Sequence, residues 1–153
     1  MADGRAPRGL PLLSGPAPSQ PQDPDSCRKC GKEFNIIFSR SRKCNHCGFM
    51  YCHNCSDYQA LMPRTGPDTG YDVMNVCGYC IEYLTITAGG RSHLKTLPIA
   101  KLRKYANAYD INITRAVEKD DIIDALVSTR TQNGCLPRLH EVRRNNKIPL
   151  RRR

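Results

Sequence analysis

The chain has 153 residues, a formal net charge of +10, nine cysteines and no tryptophan. No apolar run approaches the roughly 20 residues that a membrane-spanning helix needs, so no such helix is expected. The length leaves space for two small modules at most, and neither can bury a large hydrophobic core.

The first 26 residues contain six prolines, three glycines and few large apolar side chains. Such a composition cannot offset the entropy of ordering, so residues 1–26 are predicted to be a disordered leader. A secretory signal would need basic residues followed by a continuous apolar segment, whereas residues 10–13 are short and interrupted by proline. A reducing compartment is therefore expected, in which cysteines bind metal rather than form disulfides.

Eight of the nine cysteines form four Cys-x-x-Cys pairs within 54 residues. The pairs are Cys27/Cys30, Cys44/Cys47, Cys52/Cys55 and Cys77/Cys80. Two intervening residues let both thiolates of a pair reach one zinc ion, and a tetrahedral site needs two such pairs. The four pairs therefore predict two structural Zn²⁺ ions in a module over residues 27–88, which would be unfolded without metal. Spacing alone does not say which pairs share an ion.

Short apolar and aromatic runs between the pairs predict strands over residues 34–38, 49–52, 60–62 and 73–76. After the last pair, residues 81–86 predict a short helix that ends before Gly89 and Gly90. The fold class expected from these elements is a small zinc-stabilised α+β module.

After a linker over residues 89–96, the segment 97–130 carries two apolar stripes with helical spacing. The first follows Pro98, a residue suited to a helix start, and the second begins near Glu118. Two helices joined by a turn predict a short helical hairpin. Residues 131–153 then hold seven basic residues and one acid. They are predicted to be a basic tail, solvated or disordered, with attraction to anionic lipid or nucleic acid as the alternative.

Three stretches around the cysteine pairs, residues 42–48, 49–55 and 75–80, resemble the FYVE-type zinc finger. The resemblance implies a cross-brace, in which alternate pairs share an ion. Cys27, Cys30, Cys52 and Cys55 would bind the first zinc, and Cys44, Cys47, Cys77 and Cys80 the second. A RING finger is also cross-braced, but it needs a lone cysteine or histidine shortly before a later pair, and His46 abuts Cys47.

FYVE fingers that bind phosphatidylinositol 3-phosphate carry a Trp-x-x-Asp element, a basic run with two histidines and an Arg-Val-Cys element. This chain has no tryptophan, its basic run is Arg40-Ser41-Arg42-Lys43, and Asn75 replaces the arginine. The retained cations and the apolar residues before them imply a lipid-binding surface. It would consist of Arg40, Arg42, Lys43, Ile36, Ile37 and Phe38. The alternative is that Ile36 and Phe38 fill the core of the finger.

A FYVE-like finger followed by a SAP-like hairpin is similar to the rififylin-type proteins, in which a RING comes later. Only Cys135 remains after Cys80, so no RING and no ubiquitin-ligase activity are expected in this chain. SAP units can bind DNA, but residues 97–130 are nearly neutral, with Asp120 and Asp121 at a helix start. Nucleic acid is therefore not an expected partner.

The expected function is that of a non-enzymatic zinc-binding adaptor in the cytoplasm. It would dock peripherally on an endosomal or vacuolar membrane through phosphatidylinositol 3-phosphate. The alternative is a protein-interaction scaffold, related to FYVE-like ubiquitin ligases, in which the finger is purely structural. A protein partner is expected in either case.

Overall fold

The computed structural model describes residues 10–20, 25–35, 37, 40–64 and 70–148. Within these ranges, two small antiparallel sheets precede five α-helices, and a single 3-10 turn, His53–Cys55, follows the second strand. Among these residues, no helix has the length and apolar character of a membrane span. The elements are β1 Ser41–Lys43, β2 Met50–Cys52, β3 Tyr58–Pro63, β4 Tyr71–Val76, α1 Gly78–Ala88, α2 Arg91–Thr96, α3 Ile99–Ala108, α4 Lys119–Thr129 and α5 Arg138–Asn145. The α+β fold class predicted from the sequence is confirmed.

The first strand lies seven residues later than the sequence predicts. Residues 36 and 38 of the predicted strand 34–38 fall outside the described residues, whereas β1 begins at Ser41 and pairs with β2. Opposite Arg42 in this pairing lies Tyr51, which is fully buried. The apolar side chains of this strand pair belong to β2. All three residues of β1 are polar, so its sequence has no hydrophobic alternation from which a strand could be predicted. The longer pair, β3 and β4, includes the predicted strand segments 60–62 and 73–76.

The amino-terminal segment, residues 10–20, packs along the free edge of β3. The Leu13 amide donates to the Leu61 carbonyl at 2.7 Å, and the Leu61 amide donates to the Pro11 carbonyl at 2.8 Å. Leu13 is fully buried in the core of the finger. Residues 10–20 of the predicted disordered leader are therefore packed on the finger. The unpaired edge of β3 supplies hydrogen-bond partners for their backbone, and amino-acid composition does not reveal such partners.

The helices α2, α3 and α4 enclose a second hydrophobic core after the finger. Pro98 precedes α3, as predicted, and α4 begins with a capping box in which Glu118 and Asp121 bond each other's backbone amides. Such reciprocal bonds satisfy amides that a helix start would otherwise leave unpaired. The short helix α2 lies in the predicted linker. The likeness of α3 and α4 to a SAP unit stays a prediction.

Helix α5 lies within the predicted basic tail and packs on the finger. Ile148, just after α5, is 5% exposed and belongs to the same core cluster as Leu13. On the finger-facing side of α5, Glu141 and Arg144 are also buried. The buried face is therefore largely charged, which is why a hydrophobic periodicity did not predict this helix.

The Ile148→Ala variant is expected to lower the free energy of unfolding of the zinc-loaded protein by about 2 kcal/mol, because it leaves a cavity in the finger core. Denaturant titration followed by circular dichroism would measure this change. The matched control is Leu139→Ala, whose side chain on α5 is largely exposed. It should change the value by less than about 0.5 kcal/mol. Equal, small effects of both variants would contradict docking of this segment.

Candidate metal centres

Four sulfur atoms from the first and third cysteine pairs form one cluster. Cys27, Cys30, Cys52 and Cys55 place their Sγ atoms within 4.8 Å of one another. The Sγ atoms of Cys30 and Cys52 are 3.7 Å apart. A zinc ion with Zn–S bonds of about 2.3 Å holds its sulfurs about 3.8 Å apart in a tetrahedron. The spacing thus fits zinc, and it is far longer than the 2.05 Å or so of a disulfide bond.

The second and fourth pairs form the other cluster. The Sγ atoms of Cys44, Cys47, Cys77 and Cys80 also lie within 4.8 Å of one another, with 4.0 Å between Cys47 and Cys77. All four residues of this second centre are fully buried, whereas Cys30 of the first centre is exposed and Cys55 is half-buried. The cross-brace implied by the family resemblance is therefore confirmed, and the two donor sets are those of two structural Zn²⁺ ions.

A glycine with a left-handed backbone follows each of the first two cysteine pairs. Gly31 and Gly48 follow the second cysteine of their pairs, both with positive φ angles, of 76° and 85°. Each donates its amide to the carbonyl of the first cysteine, at 2.8 Å from Gly31 and 3.0 Å from Gly48. A residue with a Cβ disfavours this left-handed backbone. At position 48 an added Cβ would also lie 2.2 Å from the carbonyl oxygen of Pro18. Glycine therefore leaves the space in which the amino-terminal segment packs against the second cysteine pair.

Hydrogen-bond donors of the backbone and of two side chains contact the sulfurs of the second centre. The amides of His46 and Cys77 approach the Cys44 Sγ at 3.4 and 3.2 Å. The Tyr51 hydroxyl lies 3.3 Å from the Cys47 Sγ and can donate to it. The Arg144 guanidinium donates to the Cys80 Sγ at 3.0 Å. Thiolates accept such bonds more readily than thiols, so these donors favour the metal-binding state.

The pKa of Cys27 shows the same preference in the first centre. Burial raises this pKa, but hydrogen bonds from the Cys30, Cys52 and Lys29 backbone outweigh it and lower the pKa to about 7. Because the ordinary value for this thiol is 9.0, a larger fraction of Cys27 is ionised at neutral pH. Burial raises the pKa of Cys52 and of Cys55, so this preference belongs to Cys27 and not to the whole centre.

Two histidines lie inside the cysteine pairs, and neither belongs to a sulfur cluster. His53 is exposed. His46 is buried, and its Nε2 lies 3.9 Å from Glu141 without a hydrogen-bond partner among the described residues. Burial lowers the pKa of His46 to about 4, so the ring is neutral at pH 7 and this contact is not an ion pair.

Three of the residues predicted to bind lipid come directly before the second centre in the chain. Arg42 and Lys43 form the end of β1, directly before Cys44, and Arg40 precedes the strand. Ile37 is 77% exposed. Ile36 and Phe38 lie outside the described residues, so their assignment to membrane or core stays a prediction.

A groove of about 800 Å³ opens at the end of β1. Lys43 and Asn45 line one side, Arg64 and Asp72 of the β3–β4 sheet another, and residues 14–17 a third. Arg64 is paired with Asp72 at 2.9 Å, so part of its charge is already neutralised. The groove is large enough for a small polar headgroup.

The sequence did not single out Tyr51, Glu141 or Arg144. Tyr51 follows Cys47 by four residues and points inward from β2, a position that strand alternation could have found. Glu141 and Arg144 carry no such signal, because charged residues in a basic segment are usually exposed.

Zinc content is the direct check of these centres. The protein should carry two zinc ions by native mass spectrometry and lose its fold when a strong chelator removes them, because so small a core depends on the metal. Cys44→Ser should unfold the finger and lower the zinc content below two ions. Cys135→Ser should keep both, since Cys135 lies in neither cluster. A third ion, or a stable metal-free fold, would contradict this assignment.

The family model for the FYVE zinc finger matches residues 19–86. Among curated proteins, lateral signaling target protein 2 of Caenorhabditis briggsae is 32% identical over 68 residues, which are 44% of this chain and 10% of that protein. E3 ubiquitin-protein ligase rififylin of Rattus norvegicus is 26% identical over 115 residues, 75% of this chain and 27% of that protein. Vacuolar protein sorting-associated protein 27 of Eremothecium gossypii is 24% identical over 130 residues, 84% and 20% respectively.

This chain thus spans between about a tenth and about a quarter of the length of these relatives. No solved structure matches it significantly. The match to the family model and the alternate pairing of the cysteines agree on the same segment, which is similar to a FYVE zinc finger.

Proposed function

We propose that the chain is a non-catalytic adaptor whose finger docks on a cytoplasmic membrane surface that contains phosphatidylinositol 3-phosphate. The observation that carries the proposal is the position of the basic strand β1, which ends at the groove and follows an exposed apolar residue. A headgroup in the groove would meet cations while the apolar side chain enters the lipid.

The charges at β1 are accessible in different degrees. Lys43 is exposed and lines the groove, and the side chain of Arg42 is 34% exposed, 4.0 Å from Asp57. A solvent-exposed pair at this distance is weak, so a phosphate could compete with Asp57 for Arg42. Lys43 would bond a phosphate in the groove, and Arg42, which does not line the groove, would add attraction to an anionic surface in place of the arginine missing at position 75.

The apolar contribution would come from Ile37. Its side chain is the most exposed large aliphatic one of the finger among the described residues. Single exposed apolar residues are common on protein surfaces, so Ile37 supports the proposal through its place before the basic strand and not through exposure alone. Insertion of one isoleucine gives only modest affinity, which suits reversible attachment and makes a lipid with a specific headgroup necessary.

Two further points support a docking role without catalysis. Each centre is closed by four sulfurs, which leaves no coordination position for an activated water. The relative from E. gossypii is named for vacuolar protein sorting, which agrees with attachment to an endosomal or vacuolar membrane. We infer the same location for this chain.

Co-sedimentation with phosphatidylcholine vesicles tests the proposal. Zinc-loaded protein should bind vesicles that contain phosphatidylinositol 3-phosphate and bind those with phosphatidylinositol much more weakly. Lys43→Ala should reduce the partition coefficient about fivefold, because one basic residue near an anionic surface contributes about 1 kcal/mol. Ile37→Ser should also reduce it, with zinc content unchanged.

The matched control is Arg143→Ala, which removes one exposed charge from α5 and should leave the headgroup preference intact. Vesicles with phosphatidylserine at equal charge separate specific recognition from general attraction. Binding that follows charge alone, that is equally reduced by Arg143→Ala and Lys43→Ala, or that is absent would overturn the proposal.

A second candidate, a protein-interaction scaffold, is favoured by the extent of the similarity. The alignments to rififylin and to the E. gossypii relative cover 75% and 84% of this chain, more than the finger alone. The helices after the finger, including the SAP-like pair predicted from the sequence, would then carry the partner site. Loss of partner binding on changing Val117, 85% exposed beside α4, with lipid binding unaffected, would favour this candidate.

A further inference from the structure

We propose that Arg144 is an outer-sphere positioning residue of the second zinc centre, so that retention of this zinc depends on helix α5. The guanidinium donates from Nη1 to the Cys80 Sγ at 3.0 Å and from Nη2 to the Tyr79 carbonyl at 2.5 Å. Both acceptors belong to the last cysteine pair and its helix α1. One planar group thus fixes the sulfur and the backbone beside it.

The contact between Arg144 and Cys80 also balances charge at the second centre. A zinc ion with four thiolates carries a net charge of −2. All four ligands of this centre are buried, so water cannot screen that charge. Arg144 is 3% exposed and brings one positive charge directly to a ligand sulfur. The buried cation and the buried anionic centre therefore each offset the cost of burying the other.

Independent contacts hold α5 in place on both sides of Arg144. At its start, Arg138 donates to the Pro16 carbonyl at 2.9 Å. Beyond its end, Arg28 donates to the Ile148 carbonyl at 2.9 Å, and the guanidinium of Arg28 lies over the Phe49 ring. The helix is thus anchored to both the amino-terminal segment and the finger, and loss of the Arg144 contact need not release it.

The first centre has a different environment. Its ligand Cys30 is exposed and Cys55 is half-buried, so solvent can stabilise the charge there. Removal of Arg144 is therefore expected to weaken zinc at the second centre only. This asymmetry distinguishes an outer-sphere role from a general loss of stability.

Chelator competition on the intact zinc-loaded chain gives the first test. Arg144→Met keeps the length of the side chain and removes its charge and donors. It should lower the zinc affinity of the second centre at least tenfold, the usual effect of losing an outer-shell partner. Arg144→Lys keeps the charge and should recover part of the loss. Arg143→Met, a change of the exposed neighbouring residue, should leave both affinities unchanged.

Cadmium-113 NMR gives the second test, because each centre yields its own resonance and the shift responds to hydrogen bonds on the sulfurs. Arg144→Met should move the resonance of the second centre and leave that of the first in place. Arg138→Met loosens α5 at its far end without touching a ligand and should move neither.

Two results would overturn the proposal. One is an unchanged zinc affinity in Arg144→Met. The other is an equal loss of affinity in Arg138→Met and Arg144→Met with an unmoved cadmium resonance, which would mean that α5 acts by packing alone.

Discussion

The bonds between eight thiolates and two zinc ions are the constraint on which the finger depends. Its sheets have two strands each, and β1 and β2 have only three residues apiece. Sheets this small are not stable in water without further support. Each centre joins residues about 25 or more positions apart, from Cys27 to Cys52 and from Cys44 to Cys77, so metal binding brings the strands together. The core cluster confirms this, because six of the eight ligands belong to it as buried residues.

Segments from both ends of the described chain pack on the finger. Leu13 and Ile148 enter the same core cluster, although 135 residues separate them. The Ser14 hydroxyl donates to Glu141 at 2.5 Å, which joins the two segments to each other. The protein is thus a zinc finger enclosed by its own flanking segments, and the helices between them form a separate hydrophobic core.

The sequence predicted those features that arise from local chemistry. Cysteine spacing predicted the ligands, because two-residue gaps have a direct geometric meaning, and apolar periodicity predicted α3 and α4. It did not predict how residues 10–20 and 131–148 pack, because their contacts are backbone bonds at a sheet edge and buried charges such as Glu141 and Arg144. Such contacts depend on what the rest of the chain provides at that place. Helix α2 was missed for a simpler reason, since six residues with one buried leucine give no periodic pattern. The lipid-binding residues stay a prediction, because sequence and structure place cations near a groove without showing what enters it.

The unequal burial of the two centres has a consequence for how the protein acquires its metal. The second centre lies beneath segments from both ends of the described chain, and all its ligands are inaccessible to solvent. Zinc must therefore enter it while those segments are still open. The first centre has an exposed ligand residue, Cys30, so we expect its ion to be more accessible in the folded state. Unequal burial therefore predicts an order of metal loading, in which the inner ion is incorporated during folding and the outer one exchanges more readily with zinc in solution.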